Sequence, residues 1–107
     1  MKTNETHDAI IIEIEGNLKD DSALKLGKEI TKLEQTTNKD IVLDVSRIKD
    51  VDSRGLGTLV YLWKTMDNDK HSLVLLNPSE FLEKILIDTN LIKVFSIIKD
   101  IKDLKRL

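Results

Sequence analysis

Hydrophobic and polar residues follow two different spacings in the first third of the chain. In the segment 9–15, isoleucines at every second position lie on one side and two glutamates on the other, which predicts a half-exposed strand ending at Gly16. A short edge strand is expected before it, near Thr6. Residues 20–35 repeat apolar side chains three and four positions apart, which predicts an amphipathic helix. Its first three residues, two aspartates and a serine, offer caps for the helix start.

The middle of the chain predicts a buried strand, a connecting loop and a second helix. Residues 41–45 are mostly branched and apolar without alternation, as expected for a strand covered on both faces. A polar connection follows, and Ser53 lies where the helix begins, so that its hydroxyl is expected to cap the first turn. The apolar residues of this helix recur at helical spacing: Leu56, Leu59, Val60, Trp63 and Met66.

The last third of the chain continues the alternation of strands and helices. After a polar turn over 67–70, residues 73–76 predict a short buried strand. Asn77-Pro78-Ser79-Glu80 predicts a helix start with asparagine as the cap, and this helix is expected to end near Asp88. Residues 93–95 then predict a short strand, and apolar residues at helical spacing predict a C-terminal helix: Ile97, Ile98, Ile101 and Leu104.

The order of these elements predicts one α/β domain over residues 1–107. We expect a mixed, mostly parallel sheet of four to five strands with about four helices and right-handed crossovers. The sequence contains no internal repeat, linker or low-complexity segment.

The start of the central helix contains two glycines that helix propensity does not explain. Gly55 and Gly57 lie in its first turns, where each costs up to about 1 kcal/mol relative to alanine. Glycine supplies bare backbone that another molecule can approach closely. The spacing of Arg54, Gly57, Thr58 and Tyr61 places them on one face of the helix, with Ser53 at its end. This face is the candidate binding surface.

The strand, the sequence Asp52-Ser53-Arg54-Gly55-Leu56-Gly57 and the helix together resemble the central motif of the anti-sigma factor antagonists, the bacterial STAS domains. The resemblance extends over nearly the whole chain, through Gly16-Asn17-Leu18 near the start and Leu91 with Phe95 near the end. The chain differs from the usual family pattern at four positions: Asn17, Lys19, Arg54 and Asn90.

The resemblance implies a regulatory protein that is not an enzyme. In the family, the serine after the aspartate accepts phosphate from a partner kinase, and here that serine is Ser53. The implied partners are an anti-sigma factor that is itself the serine kinase and a metal-dependent serine phosphatase. The expected partner-binding residues surround Ser53: Asp52, Arg54, Gly55, Gly57, Thr58 and Tyr61. A STAS scaffold that is not phosphorylated, in which Arg54 makes a fixed salt bridge, is the alternative.

Composition narrows the function further. The chain of 107 residues is 40% hydrophobic and 34% charged, as expected for a globular domain, and its net charge of −2 argues against nucleic-acid binding. The absence of cysteine excludes disulfides and thiolate chemistry. No apolar run reaches the length of about 18 residues that a membrane span needs. We therefore expect a cytoplasmic monomer with no cofactor and no membrane contact.

The chain lacks the residue patterns on which enzymes and response-regulator receivers usually depend. The two histidines, His7 and His71, have no partner at metal-ligand spacing, and Ser53 is not in a Gly-x-Ser-x-Gly turn. The segment Val42-Leu43-Asp44-Val45 resembles the phosphoacceptor strand of response-regulator receivers, but the first strand lacks their acidic pair. Asp44 is therefore expected to be a strand-end or loop-capping residue. Two roles stay open for Asp52: binding loop amides, or orienting Ser53 and repelling its phosphate. For Asp50 the loop-amide role is favoured.

Overall fold

The computed structural model describes residues 2–67 and 72–106, and the side chains of residues 67, 105 and 106 lie outside this description. Residues 68–70 of the polar turn expected over 67–70 therefore lie outside the described residues. The strands are β1 (Lys2–Glu5), β2 (Ala9–Leu18), β3 (Asp40–Val51), β4 (Leu73–Leu76) and β5 (Ser96–Ile98). The α-helices are α1 (Asp20–Glu34), α2 (Ser53–Asp67) and α3 (Glu80–Asp88). Two short 3-10 helices follow α3, at Leu91–Lys93 and Ile101–Arg106.

The five strands form one sheet in the order β1-β2-β3-β4-β5. β1 pairs with β2 in antiparallel fashion, whereas every other neighbouring pair is parallel. The expected mixed, mostly parallel sheet is confirmed, and the edge strand expected near Thr6 is β1.

The three α-helices pack on one face of this sheet. The larger core cluster combines buried residues of all three helices with alternate residues of β2, β3 and β4. Ile10, Ile12 and Ile14 of β2 all belong to it, as the alternation predicts. The opposite face is covered more sparsely, by a small cluster around Val42 and Val74 against which Leu104 packs.

The C-terminal part differs most from the expectation. The last strand is β5, three residues after the expected position, and no fourth α-helix is present among the described residues. Ile97 and Ile98 are strand residues paired with β4, and only the six residues from Ile101 are helical, in a 3-10 helix. The predicted helical spacing was wrong here because it joined strand and helix residues into a single stripe.

Two helix caps also differ from those predicted. In α3 the cap is Ser79, whose hydroxyl accepts a hydrogen bond from the Leu82 N–H at 3.2 Å, whereas Asn77 lies before the helix with φ of 49°. In α1 the cap position is Lys19, and its side chain makes no capping hydrogen bond. The aspartates and the serine at the start of α1 therefore do not supply the cap that the sequence predicted.

The long pairing between β2 and β3 places the functional site. Both strands continue past their predicted ends, at Gly16 and at Val45, and two irregularities in register bring Leu18 opposite Val51. Gly16 lies at one of these irregularities with φ of +76°, a backbone conformation that residues other than glycine rarely adopt. As a result, the starts of α1 and α2 lie side by side at one edge of the sheet.

Candidate functional site

The starts of α1 and α2 are joined by the side chain of Asp52. Its carboxylate accepts a hydrogen bond from the backbone N–H of Gly55 at 2.8 Å, within the first turn of α2. The other carboxylate oxygen accepts from the backbone N–H of Asp20 at 3.0 Å, at the start of α1. Asp52 thus caps two helices at once. The loop-amide role considered for Asp52 matches this geometry.

These contacts hold Asp52 in its ionised form. The N–H of Gly55, and after it that of Asp20, lowers the pKa of the Asp52 carboxyl below its ordinary value, since both donate to the charged form. The negative charge also lies where the dipoles of two helices favour anions. At neutral pH the site therefore contains a fixed carboxylate directly before Ser53.

Ser53 is the first residue of α2 and is not its cap. The predicted capping role was wrong, because Asp52 occupies the cap position and supplies the capping oxygen. The Ser53 side chain is exposed, and its hydroxyl makes no hydrogen bond within the described part of the chain. The hydroxyl is therefore accessible from solvent and free of a structural role.

The two glycines of α2 have different surroundings, one inside the protein and one at its surface. A Cβ atom at Gly55 would lie 1.9 Å from the backbone oxygen of Leu18, whereas a Cβ atom at Gly57 would have no neighbour within 4 Å. The close approach that Gly55 permits is therefore made by the chain itself, and Gly55 is buried. This corrects the expectation that Gly55 offers backbone to a partner. Gly57 is exposed, as a binding surface requires.

The remaining predicted binding residues divide into two exposed side chains and one buried side chain. Arg54 is exposed, and the fixed salt bridge expected in the scaffold alternative is not present among the described residues. Tyr61 is 56% exposed. Thr58 is buried, and its methyl group packs against α1 at Gly27. Arg54, Gly57 and Tyr61 therefore form the accessible part of this face.

Lys19 and Asp50 form an ion pair beside the site, with the ammonium and carboxylate groups 2.8 Å apart. Asp50 therefore binds a lysine side chain and not the loop amides that were predicted. The hydrogen bond that Lys19 donates to Asp50, together with the negative charge of Asp50, raises the pKa of Lys19. This ion pair was not among the expectations from the sequence, although the ends of two parallel strands meet at the same edge of a sheet, a general rule that could have indicated it.

The fold excludes the receiver alternative. The doubly wound receiver fold has the strand order 2-1-3-4-5, whereas this sheet runs in sequence order from an antiparallel edge strand. Asp44 lies inside β3, and its carboxylate accepts hydrogen bonds from the N–H and hydroxyl of Ser46. Asp44 is thus a local structural residue, although not at the end of a strand as expected.

Among the residues that the structure describes, no group of three or more histidine, cysteine or acidic residues is positioned to hold a metal ion. Among the same residues, no helix is both long and apolar enough to cross a membrane.

Comparison with known proteins identifies the family. The model of the STAS domain matches residues 1–104, and the chain belongs to this family. A crystal structure of a proposed anti-sigma factor antagonist from Thermotoga maritima superimposes with a TM-score of 0.87 at 25% sequence identity, over 98% of this chain and 91% of the other. The anti-sigma factor antagonist SpoIIAA in its unphosphorylated form shares the fold, with a TM-score of 0.80 at 18% identity over 98% and 93% of the two chains.

These findings define the class of protein. The chain is a STAS domain, and its structure resembles those of anti-sigma factor antagonists.

Proposed function

We propose that this protein is an anti-sigma factor antagonist that binds its anti-sigma factor while Ser53 is unphosphorylated and is released when Ser53 is phosphorylated. The anti-sigma factor is the serine kinase in this proposal, and a serine phosphatase restores the binding form. Release of the antagonist returns the anti-sigma factor to its sigma factor, so that the switch regulates transcription. The proposal places the protein in the cytoplasm as a monomer, without a cofactor.

The observation that carries this proposal is that Asp52, and not Ser53, caps α2. Because Asp52 supplies the cap of α2, the Ser53 hydroxyl is exposed and has no hydrogen bond among the described residues. A hydroxyl that stabilised the helix would be held away from a kinase. The unphosphorylated state named for SpoIIAA, which shares this fold, supports the same interpretation.

The local electrostatics favour a switch that leaves the fold intact. A phosphate adds a charge of about −1.5 to −2, and at Ser53 it lies at the start of α2, where backbone N–H groups and the helix dipole favour anions. The ionised carboxylate of Asp52, the preceding residue, repels this phosphate. The expected result is a folded domain with a changed surface charge around Ser53, Arg54 and Gly57.

The test is phosphorylation and binding by the anti-sigma factor kinase of the source organism. Intact mass spectrometry with site mapping, before and after phosphatase treatment, is expected to find one phosphate on Ser53. We expect Ser53→Ala to bind the kinase constitutively and Ser53→Asp to bind poorly. Ser96 is an exposed serine on β5, far from Ser53 in the sequence. Ser96→Ala and Ser96→Asp are therefore the matched controls.

Two results would contradict the proposal. One is equal binding of the kinase by Ser53→Ala and Ser53→Asp. The other is an unmodified Ser53 under all growth conditions and with candidate kinases supplied, which would favour a constitutive STAS scaffold in a signalling or transporter complex.

A further inference from the structure

A groove runs between α1 and α2, next to Ser53. Its volume is about 1010 Å³, and it is lined by residues of both helices. Gly27 and Thr58 are its buried lining residues, and a Cβ atom at Gly27 would lie 3.1 Å from the Thr58 methyl group. The helices therefore touch at the base of the groove. Gly57 also lines the groove, and a Cβ atom there would have no neighbour within 4 Å, so the groove is open at this residue.

The rim of the groove is basic. Four basic side chains and one acidic side chain line it: Lys25, Lys28, Lys32, Arg54 and Glu29. In the described residues none of the four basic groups forms an ion pair, and the ion pairs of Lys19, Lys39 and Arg47 lie outside the groove. The whole chain carries a net charge of −2, so this cluster is a local reversal of sign. Unpaired cations close together favour an anionic ligand.

The same groove also exposes apolar surface. Leu24 on α1 and Tyr61 on α2 line it and are 49% and 56% exposed. Burying such side chains against a partner is favourable, because it removes apolar surface from water. A ligand that complements the groove therefore combines apolar side chains with acidic ones. An amphipathic protein helix has this composition and the shape to lie between two helices.

We propose that the groove between α1 and α2 binds an acidic amphipathic helix of the protein's partner. The inference rests on the proposed function in one respect, namely that this partner is the anti-sigma factor. It also gives a physical reason why phosphorylation of Ser53 releases the partner. Arg54 on the rim follows Ser53 directly, so a phosphate on Ser53 reduces the positive potential of the groove and repels the acidic helix.

The test uses a synthetic peptide of about four helical turns, with leucine on one face and glutamate on the flanks. The matched peptide has lysine in place of every glutamate. Amide NMR spectra of the labelled protein report where each peptide binds, and titration calorimetry at low and high salt reports its affinity. We expect the acidic peptide to shift the amide signals of Gly27, Gly57 and Thr58, and to bind more weakly at high salt.

Variants of this chain sharpen the test. The double variant Lys25→Glu, Lys28→Glu is expected to raise the Kd of the acidic peptide by about tenfold or more. Gly57→Gln places a longer side chain into the open space and is expected to weaken binding without loss of helix propensity. The double variant Lys84→Glu, Lys93→Glu changes two exposed lysines outside the groove. It is the charge-matched control and is expected to bind as the wild type does.

Several results would overturn the inference. They are no binding of the acidic peptide, equal binding of the two peptides, and binding that Lys25→Glu, Lys28→Glu leaves unchanged. Tighter binding of a thymidine oligonucleotide or of anionic phosphatidylglycerol vesicles than of the peptide would assign the groove to another class of ligand. The assay needs neither kinase nor phosphate, so failure of Ser53 phosphorylation would refute the proposed function and leave the peptide result to stand separately.

Discussion

Two sides of the same helix turn have opposite roles in this protein. On the inner side, Gly55 lies against the backbone of Leu18 and Asp52 connects the starts of α1 and α2. On the outer side, Ser53 and Gly57 are exposed. The inner side needs its residues in order to fold, whereas the outer side has residues that folding does not require. A regulatory surface of this kind can change its charge while the domain stays folded.

The largest expected effect is on the inner side, from Gly55→Ala. The added methyl group would overlap the backbone oxygen of Leu18, which cannot rotate away. The end of β2 and the start of α2 must therefore move apart. We expect a loss of about 3 kcal/mol in the free energy of unfolding, measured by urea denaturation. A loss below about 0.5 kcal/mol would show that the two elements are not in close contact.

Asp52→Asn is expected to have the next largest effect. The amide retains one acceptor but places an N–H₂ group against one of the two backbone donors that the carboxylate binds. We expect lower stability than the wild type at neutral pH, measured by urea denaturation. Asp50→Asn, which loses an exposed ion pair with Lys19, is the control and is expected to change less.

The pH dependence of this difference follows from the direction of the pKa shift. The folded-state pKa of Asp52 lies below its ordinary value of 3.8, so its stabilisation is present above that value and is lost as the pH falls towards the folded-state pKa. The stability difference between wild type and Asp52→Asn should therefore shrink as the pH is lowered from neutral to about 3. A difference that grows on acidification would contradict the double cap.

On the outer side, Gly57→Ala is expected to stabilise the protein. The new methyl group meets no atom within 4 Å, so the gain in helix propensity is unopposed. We expect an increase of about 0.5–1 kcal/mol in the free energy of unfolding. The same substitution at Gly55, two residues earlier, is its matched control with the opposite sign. Destabilisation at both positions would remove the distinction between the two sides.

The smallest expected effect on stability is that of Ser53→Ala, within about 0.5 kcal/mol. If Ser53 capped α2, the loss would be about 1 kcal/mol. Ser79→Ala is the control, because the Ser79 hydroxyl does cap α3 and also donates to the Ile48 carbonyl at 2.7 Å. Urea denaturation of both variants is expected to show a loss for Ser79→Ala alone.

The elements of the core were predictable because they depend on local periodicity. The alternating isoleucines of β2 and the helical spacing of Leu59, Leu62 and Met66 in α2 each identify a buried face without knowledge of its partner. The family was also predictable, since the sequence around Ser53 carries its motif. The end of the chain was not, because a strand of three residues is too short to establish a period.

The assignment of roles around Ser53 could not be predicted in the same way. From the sequence alone, Gly55 and Gly57 were expected to have the same role and Ser53 was expected to be the cap, because both interpretations use neighbours along the chain only. The residues that separate them, Leu18 and Asp20, are more than thirty positions away from Asp52 and Gly55 in the sequence.

What the sequence determined by itself is the set of elements, the order in which they occur and the family motif that names Ser53, because local spacing and propensity act over a few residues. The tertiary structure decided which glycine is covered, which side chain caps two helices and which lysines of α1 form no ion pair among the described residues. Those properties depend on the register of β2 against β3, which brings Leu18 opposite Val51. The register arises from packing across the sheet, and no segment of the chain contains it alone.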